Sequence, residues 1–470
     1  MQFRIAPGML TPLIIATALF MENMDATVIS TSLPAIARDL AVDPISLKLA
    51  LTSYLVSLAV FIPISGWMAD RFGARRVFRS AIAVFMLGSL LCAASSTLHG
   101  FVLARFVQGI GGAMMVPVGR LVILRTTSKA ELVTALSYLT VPALLGPVIG
   151  PPLGGFISTY FHWRWIFLIN LPIGVLGLIL AGRYVANLKE DEVPPLDAWG
   201  FALTGAGLSL LMLGLASEGK HMLPVAASAG LTALGGALLL AYLRHYRRGE
   251  HPLLDLSLLR IPTFNAGVVG GFMFRVGIGT IPFLLPLMLQ LGFGFTPFES
   301  GLLTCSTALG AIFMKTIVAR VLRVFGFRRI LMVNSVLAGL SVGVFALFRA
   351  DTPHLLMLAV FLLGGCLRSL QFTSLNAITF ADISQPRMSH ATSLSSVAQQ
   401  LAAGFGVTVG AFALQGASWL QGHHEIAASD FAWAFVFMAS LTALSCLLFR
   451  RLPADAGAQL AAPGETGGGR

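Results

Sequence analysis

The chain has 470 residues, 56% of them hydrophobic and only 11% charged, with a mean hydropathy of +0.84. A soluble chain carries roughly 25% charged residues, so this composition excludes a water-soluble globule and points to a polytopic membrane protein. The formal net charge of +11 would suggest nucleic acid in a soluble protein; here its distribution along the chain decides otherwise.

The first apolar segment, 10–31, exceeds the roughly 7–15 residues of a signal-peptide core and is interrupted by Glu22 and Asp25. It is therefore read as a retained first span. Further stretches of about 20 apolar residues, the length that crosses a bilayer, follow at 47–69, 77–96, 100–124, 132–158, 163–183, 198–218, 222–243, 264–290, 299–321, 329–349, 353–378, 391–415 and 428–450. They are too long for barrel strands of about 9–11 residues, so the fold class is all-α with fourteen transmembrane helices. Cys92, Cys305, Cys366 and Cys446 all lie in apolar segments and form neither a disulfide framework nor a zinc-ligand pattern. His423 and His424, with Glu425, are read as a solvated outer loop, so no metal and no cofactor is expected.

Most of the 31 Lys and Arg fall in alternate connections and toward both chain ends, including Arg71, Arg75, Arg76 and Arg79, then Arg244, Arg247 and Arg248, then Arg328 and Arg329. Only Arg38, Lys48, Arg164, Lys220 and Arg349 fall in the connections on the other side. Lys and Arg concentrate in cytoplasmic loops, so both termini are expected inside. Most of the net charge is this topology signal, and no nucleic-acid partner is expected.

DRFGARRV (Asp70–Val77) follows the second span and RVFGFRRI (Arg323–Ile330) follows the tenth. Gly73, Arg75 and Arg76 align with Gly326, Arg328 and Arg329, which suggests two related halves of the kind transporters are built from. Six-plus-six symmetry would put the second copy after span 8, an offset resolved if spans 7 and 8 are inserted. The expected division is a six-helix bundle over 1–190, an inserted pair over 191–255, a second bundle over 256–451, and a disordered cytoplasmic tail over 452–470. The charged, proline-broken stretch KEDEVPPLD (Lys189–Asp197) is the best linker.

Seven ionisable residues remain inside spans: Glu22, Asp25, Arg105, Arg120, Arg275, Lys315 and Arg368. A charge at the centre of a bilayer costs about 2.5–3.5 kcal/mol on insertion scales, and such residues mark solute or proton pathways by default. Glu22 and Asp25 are one helical turn apart and share a similar face. Desolvation and mutual repulsion favour the protonated carboxyl and a nearby Arg favours the charged one. At least one of the pair is thus read as a proton carrier; the alternative is a structural ion pair, for example Asp25 with Arg105. Arg binds carboxylate or phosphate in bidentate fashion, and five embedded cations against two acids argue for an anionic or zwitterionic solute. Lys315 is placed near the cytoplasmic end of its span, where snorkelling is cheap.

Several runs resemble the major facilitator superfamily, and within it the fourteen-span drug:proton antiporters. They are MDATVISTSLP (Met24–Pro34), GWMADRFGARR (Gly66–Arg76), RFVQGIGGAMMVP (Arg105–Pro117), LLGPVIGPPLGG (Leu144–Gly155) and HWRWIFLINLPIG (His162–Gly174). The resemblance implies the major facilitator fold, with a central cavity lined by spans 1, 4, 9 and 12 once the inserted pair is set aside. It implies a proton-coupling role for Arg105 beside the acids Glu22 and Asp25. It implies an inner gate at Asp70, Arg71, Gly73, Arg75 and Arg76, with Asp70 facing the start of span 13 near Ala391. It also implies a kinked fifth span at the contact between halves, carrying Gly146, Pro147, Gly150, Pro151 and Gly154. Arg120, Arg275 and Arg368 lie outside these motifs and are read as solute-binding.

The expected function is a monomeric, proton-coupled exporter (antiporter) of the bacterial inner membrane that moves small organic solutes by alternating access, the cavity charge favouring anionic or zwitterionic ones such as organic acids. Broad efflux of lipophilic cations and a non-transporting membrane sensor are the alternatives. No GxxxxGK[ST] loop and no clustered nucleophile and base occur, so neither ATP drive nor an enzyme is expected.

Overall fold

The computed structural model describes residues 7–126, 132–190, 193, 195–217, 223–247, 253–384, 387–423, 426–453 and 455–457. His424, Glu425 and the expected tail from 458 onward lie outside the described residues. Among the described residues the regular structure is helical and no strand occurs. Helices α1 (Pro7–Asp39), α2 (Lys48–Phe72), α3 (Ala74–Ala94), α4 (Leu98–Thr126), α5 (Leu132–Tyr160), α6 (Trp165–Leu168) and α7 (Asn170–Tyr184) form the first part. The pair α8 (Ala198–Ser217) and α9 (Val225–Tyr246) follows. The last part runs through α10 (Pro262–Asn265), α11 (Gly271–Gly279), α12 (Ile281–Leu287), α13 (Pro297–Phe325), α14 (Phe327–Gly343), α15 (His354–Thr379), α16 (Met388–Leu420), α17 (Ala428–Leu444) and α18 (Cys446–Phe449). Taking consecutive pieces together, 13 helices among the described residues are long and apolar enough to cross a membrane. The 29-residue α5 occupies the place of the remaining expected span.

The two basic turns of the internal repeat have the same backbone. Gly73 joins α2 to α3 at φ +94°, and Gly326 joins α13 to α14 at φ +72°. Each donates its N–H back to the helix it ends, to Ala69 O and to Leu322 O, at 2.9 Å in both cases. A residue with a Cβ is strained at such φ, which is why glycine stands at both positions. The start of α13 is fixed by a capping box: Thr296 Oγ1 accepts from Glu299 N, and Glu299 Oε2 accepts from Thr296 N at 2.8 Å.

Helices α1 to α7 pack on one another, as do α10 to α18, and α5 against α13 and α2 against α16 make the main contacts between the two sets. Helices α8 and α9 pack chiefly on each other, with α8 reaching α2 and α16. Helix α5 remains continuous through Pro147, Pro151 and Pro152. Its glycine face packs on α1 within the first set, not across to the second. A methyl group on Gly146 would lie 2.9 Å from Asn23 Cβ, and one on Gly150 or Gly154 would overlap Thr27 or the Val28 carbonyl. Small residues thus permit the close helix approach, and Thr31 Oγ1 donates to Pro151 O at 3.2 Å across it. The contact with α13 comes from the neighbouring face, where Gly155 meets Pro297 and Phe298, and Pro151 meets Gly301.

At the end opposite the basic turns the two sets are tied together. Gln290 Nε2 donates to Thr31 O at 2.9 Å, and Phe298 N to Thr159 Oγ1 at 3.2 Å. The buried Lys48 lies over the Phe412 ring at 4.7 Å. The HWRW run clasps the same end: Trp163 Nε1 and Arg164 both donate to Asp39 at the end of α1, and Arg164 Nη2 donates to Ser95 O at 2.9 Å.

Candidate functional site

The span that carries Arg275 is interrupted. A π-turn covers Ala266–Gly270, α11 stops at Gly279, α12 restarts at Ile281 with Pro282 behind it, and a second π-turn covers Met288–Gly292. Proline has no N–H to donate and glycine gains little from helix, so GIGTIP is a local break. Broken helices and π-bulges gather at the binding sites of transporters. Here the break lines a chamber.

The chamber has two lobes. One, of about 520 Å³, is lined by α11, α12, α13, α15 and α16, including Arg275, Arg368, Gln399 and Gln400. The other, of about 420 Å³, lies between the two helix sets, with Ala26, Thr27, Ser30, Pro147 and Pro151 on one side and Thr304, Lys315 and Arg368 on the other. Arg368, Thr307, Phe372, Asn376, Ile281 and Pro282 line both lobes. Among the described residues, neither lobe is lined by an Asp or a Glu.

Arg368 is 6% exposed, and neither of its terminal nitrogens, Nη1 or Nη2, has a hydrogen-bond partner among the described residues. A buried guanidinium left so is costly, and its donors are free for an acceptor in the chamber. Arg275 Nη2 donates to Asn376 Oδ1 at 3.3 Å, and its guanidinium lies 5.5 Å from the Phe372 ring centre. Lys315, expected to snorkel away from the cavity, instead lines the inter-set lobe. Arg120 is exposed and lines neither lobe, so it does not converge with Arg275 and Arg368.

The acids of α1 take separate environments. Asp25 Oδ2 accepts from Arg105 Nη1 at 2.7 Å, with both side chains 1% exposed. Asp25 Oδ1 accepts from Gln108 Nε2 at 2.9 Å and from Asn170 Nδ2 at 2.7 Å. Ser89 Oγ accepts from the same Gln108 and Asn170. The Arg105 guanidinium stacks 4.3 Å from the Tyr54 ring centre. This cluster joins α1, α2, α3, α4 and α7, so the structural alternative raised for Asp25 is the geometry found. Gln108 and Asn170 stand inside the quoted runs RFVQGIGGAMMVP and HWRWIFLINLPIG but received no role from the sequence, and Tyr54 carries no motif signal. Glu22, by contrast, has Oε2 buried without a hydrogen-bond partner.

At the end bearing the basic turns, Asp70 Oδ1 pairs with Arg125 Nη1 of α4 at 2.9 Å, and Arg125 also pairs with Glu190 at 3.1 Å. Glu190 N donates to Asp70 O, and Ala74 N to Leu188 O, so the segment after α7 runs along the turn. Asp70 therefore engages Arg125 within its own helix set, where an approach to the start of α16 was expected. Arg75 Nη1 reaches Gly182 O at 3.5 Å, while Arg71 and Arg76 are exposed.

A family model described as Major Facilitator Superfamily matches residues 15–259 and 267–467. The "Putative multidrug resistance protein MdtD" of Salmonella typhimurium is 37% identical over 450 residues, covering 94% of both chains. In fold, the chain is similar to a POT family transporter solved with a thioalcohol-conjugated peptide (TM-score 0.69, 16% identity, 97% of this chain and 96% of that one). It is likewise similar to a D-xylose–proton symporter (TM-score 0.68, 15% identity, 95% and 98%).

Proposed function

The chain belongs to the major facilitator superfamily, a family of membrane transporters rather than enzymes, and we propose that it exchanges protons for a small anionic or zwitterionic organic solute by alternating access. It works as a monomeric exporter in the bacterial cytoplasmic membrane with both termini inside, and organic acids are its substrates. The two six-helix bundles, 1–190 and 256–451, rock about the chamber, while the 191–255 pair rides between them.

The observation that carries this reading is the charge of the chamber. Arg368, with two buried donors unused, stands beside Arg275 and Lys315, and among the described residues no carboxylate lines either lobe. A carboxylate supplies the missing acceptors, and a charge-assisted bond of this kind is worth about 1.5–3 kcal/mol. A lipophilic cation meets like charge there with nothing to offset it. The name of the Salmonella relative and the apolar wall of Ile281, Pro282, Leu285 and Phe372 favour the second reading, efflux of lipophilic drugs.

The Glu22, Asp25 and Arg105 region supplies proton coupling, and the α2–α3 turn with Asp70, Arg71, Gly73, Arg75 and Arg76 is the inner gate. The Asp70–Arg125 pair belongs to the state in which that gate is released, since Asp70 then engages α4 of its own helix set. The glycine face of α5 with Gly146, Gly150 and Gly154 against α1, and its neighbouring face with Pro147 and Pro151 toward the second set, let the two sets move past α5 without opening a leak. The test is transport in proteoliposomes under an imposed pH gradient. Labelled organic acids are expected to move and lipophilic cations to stay; movement of cations alone overturns the anion assignment.

A further inference from the structure

The two acids of α1 are not equivalent. Asp25 is saturated: a guanidinium and two amides donate to its oxygens, and it is the sole carboxylate paired with the buried Arg105 among the described residues. A proton on Asp25 would leave that guanidinium charged, buried and unpaired, which is strongly unfavourable. Glu22 has the opposite surroundings. Its Oε2 is buried without a partner. Its Oε1 faces Gly112 of α4, where a methyl group would lie 3.6 Å from it and 3.0 Å from Tyr54 Oη. The Tyr54 hydroxyl is itself buried without a partner. The Glu22 carboxyl and the Tyr54 hydroxyl thus converge over one glycine. Glu22 stands one turn from Ala26, which lines the inter-set lobe, and the residue as a whole is partly exposed. The charged and titratable groups around it are Asp25 on α1, Tyr54 on α2 and Arg105 on α4, with Cys92 of α3 behind Arg105; the face of α5 near Asn23 brings glycine and proline.

We infer that Glu22, and not Asp25, takes up and releases the exchanged proton, with Tyr54 positioning it and Asp25 staying ionised as the fixed counter-charge of Arg105. The balance is simple: the Glu22 O–H bond breaks as the proton leaves to water on one side of the membrane and re-forms with a proton from the other. No other bond changes.

The inference rests on the proton exchange proposed above, so its test has an arm that needs no solute. Purified protein in lipid nanodiscs is titrated while the infrared band of the protonated carboxyl is followed. A titrating band present in the wild type and in Asp25→Asn, and lost in Glu22→Gln, is the expected result; a band lost in Asp25→Asn and kept in Glu22→Gln overturns it. Tyr54→Phe is expected to shift the midpoint of that band, whereas a merely structural Tyr54 would leave it in place. In proteoliposomes, Glu22→Gln is expected to lose the response of transport to a pH gradient. A retained gradient response overturns the inference. Should Glu22→Gln not fold, Glu22→Asp replaces it, and a band and pH profile unchanged from the wild type sink the assignment. A wild-type protein that moves no organic acid refutes the functional reading and leaves the infrared result standing.

Discussion

Replacing Arg368 by methionine separates binding from stability, because the two should move in opposite directions. Arg368 is buried, and both terminal nitrogens lack a hydrogen-bond partner among the described residues. If the chamber takes an organic acid as proposed, those nitrogens meet its carboxylate. Losing two charge-assisted bonds at the lower end of their range, about 1.5 kcal/mol each, removes about 3 kcal/mol, or on the order of 100-fold in solute affinity. Arg275 and Lys315 remain to hold the anion weakly, so the lower end is the appropriate figure. In the absence of solute, methionine removes a buried and unsatisfied charge and fills much of the same space. Substituting apolar side chains for buried charges is often stabilising by about 1–4 kcal/mol, so the unliganded variant should unfold at a higher temperature than the wild type. The assays are KM for a labelled organic acid in proteoliposomes and the thermal midpoint in detergent, with and without solute. Binding of solute raises the midpoint of the wild type by mass action, and this shift should vanish in Arg368→Met. An unchanged KM refutes the solute contact. A lower midpoint in the unliganded variant refutes the claim that this guanidinium is uncompensated.

Two further outcomes follow from contacts elsewhere. Gly154→Leu forces a side chain into the Val28 carbonyl and Thr31; overpacking of this kind costs about 1–3 kcal/mol, and a lower midpoint with poor membrane expression is expected, whereas wild-type behaviour would show that α1 and α5 can part without penalty. At the basic end, Asp255 is opposed in its ionisation by burial, yet hydrogen bonds from Ser257 and from Arg387, the latter at 2.7 Å, hold its carboxyl below the usual range. A lowered folded value means that the contribution is complete above the ordinary Asp value of about 3.9 and is lost as the pH falls through the folded one. Asp255→Asn should therefore be less stable than the wild type at neutral pH, with the gap closing in acid; a gap that is constant with pH removes the ion pair as its cause.

The helices were legible because length and hydropathy set them: a stretch that spans a bilayer must satisfy its backbone internally. The repeat was legible for a local reason as well, since the positive φ at Gly73 and Gly326 selects glycine whatever the neighbours are. Which charges would lie in a cavity was legible only through their rarity. Their partners were not, because partners come from other helices. Arg125 reaches Asp70, and Asn170 reaches Asp25, from 55 and 145 positions along the chain. Lys315 shows the limit most clearly. Its distance from the helix end suggested snorkelling, but the face it presents is set by how α13 packs on α5 and α15, which no local pattern encodes. The glycine face of α5 was readable as a contact surface, yet nothing in its spacing says that the neighbour is α1.

The arrangement also constrains how exchange works. Antiport requires each ligand to weaken the binding of the other, and this coupling is reciprocal. Direct electrostatics give the reverse sign: a proton added to α1 and an anion in the cationic chamber attract each other. If charge alone linked them, they would travel together. Exchange of an anion for a proton therefore has to run through geometry, and α1 is the element placed to do it. It carries Glu22, it is locked to α4 and α7 through Asp25, and it lines the chamber with Ala26, Thr27 and Ser30. A neutral Glu22 must hold α1 in a position that narrows the inter-set lobe, and an ionised Glu22 must release it. Solute affinity should then fall as the pH is lowered through the titration of Glu22, and Glu22→Gln should hold the low-affinity value at every pH. Equilibrium binding of an organic acid whose own charge is constant over the range measures this without any gradient. Tighter binding at low pH would make the carrier a symporter and remove proton exchange from the mechanism.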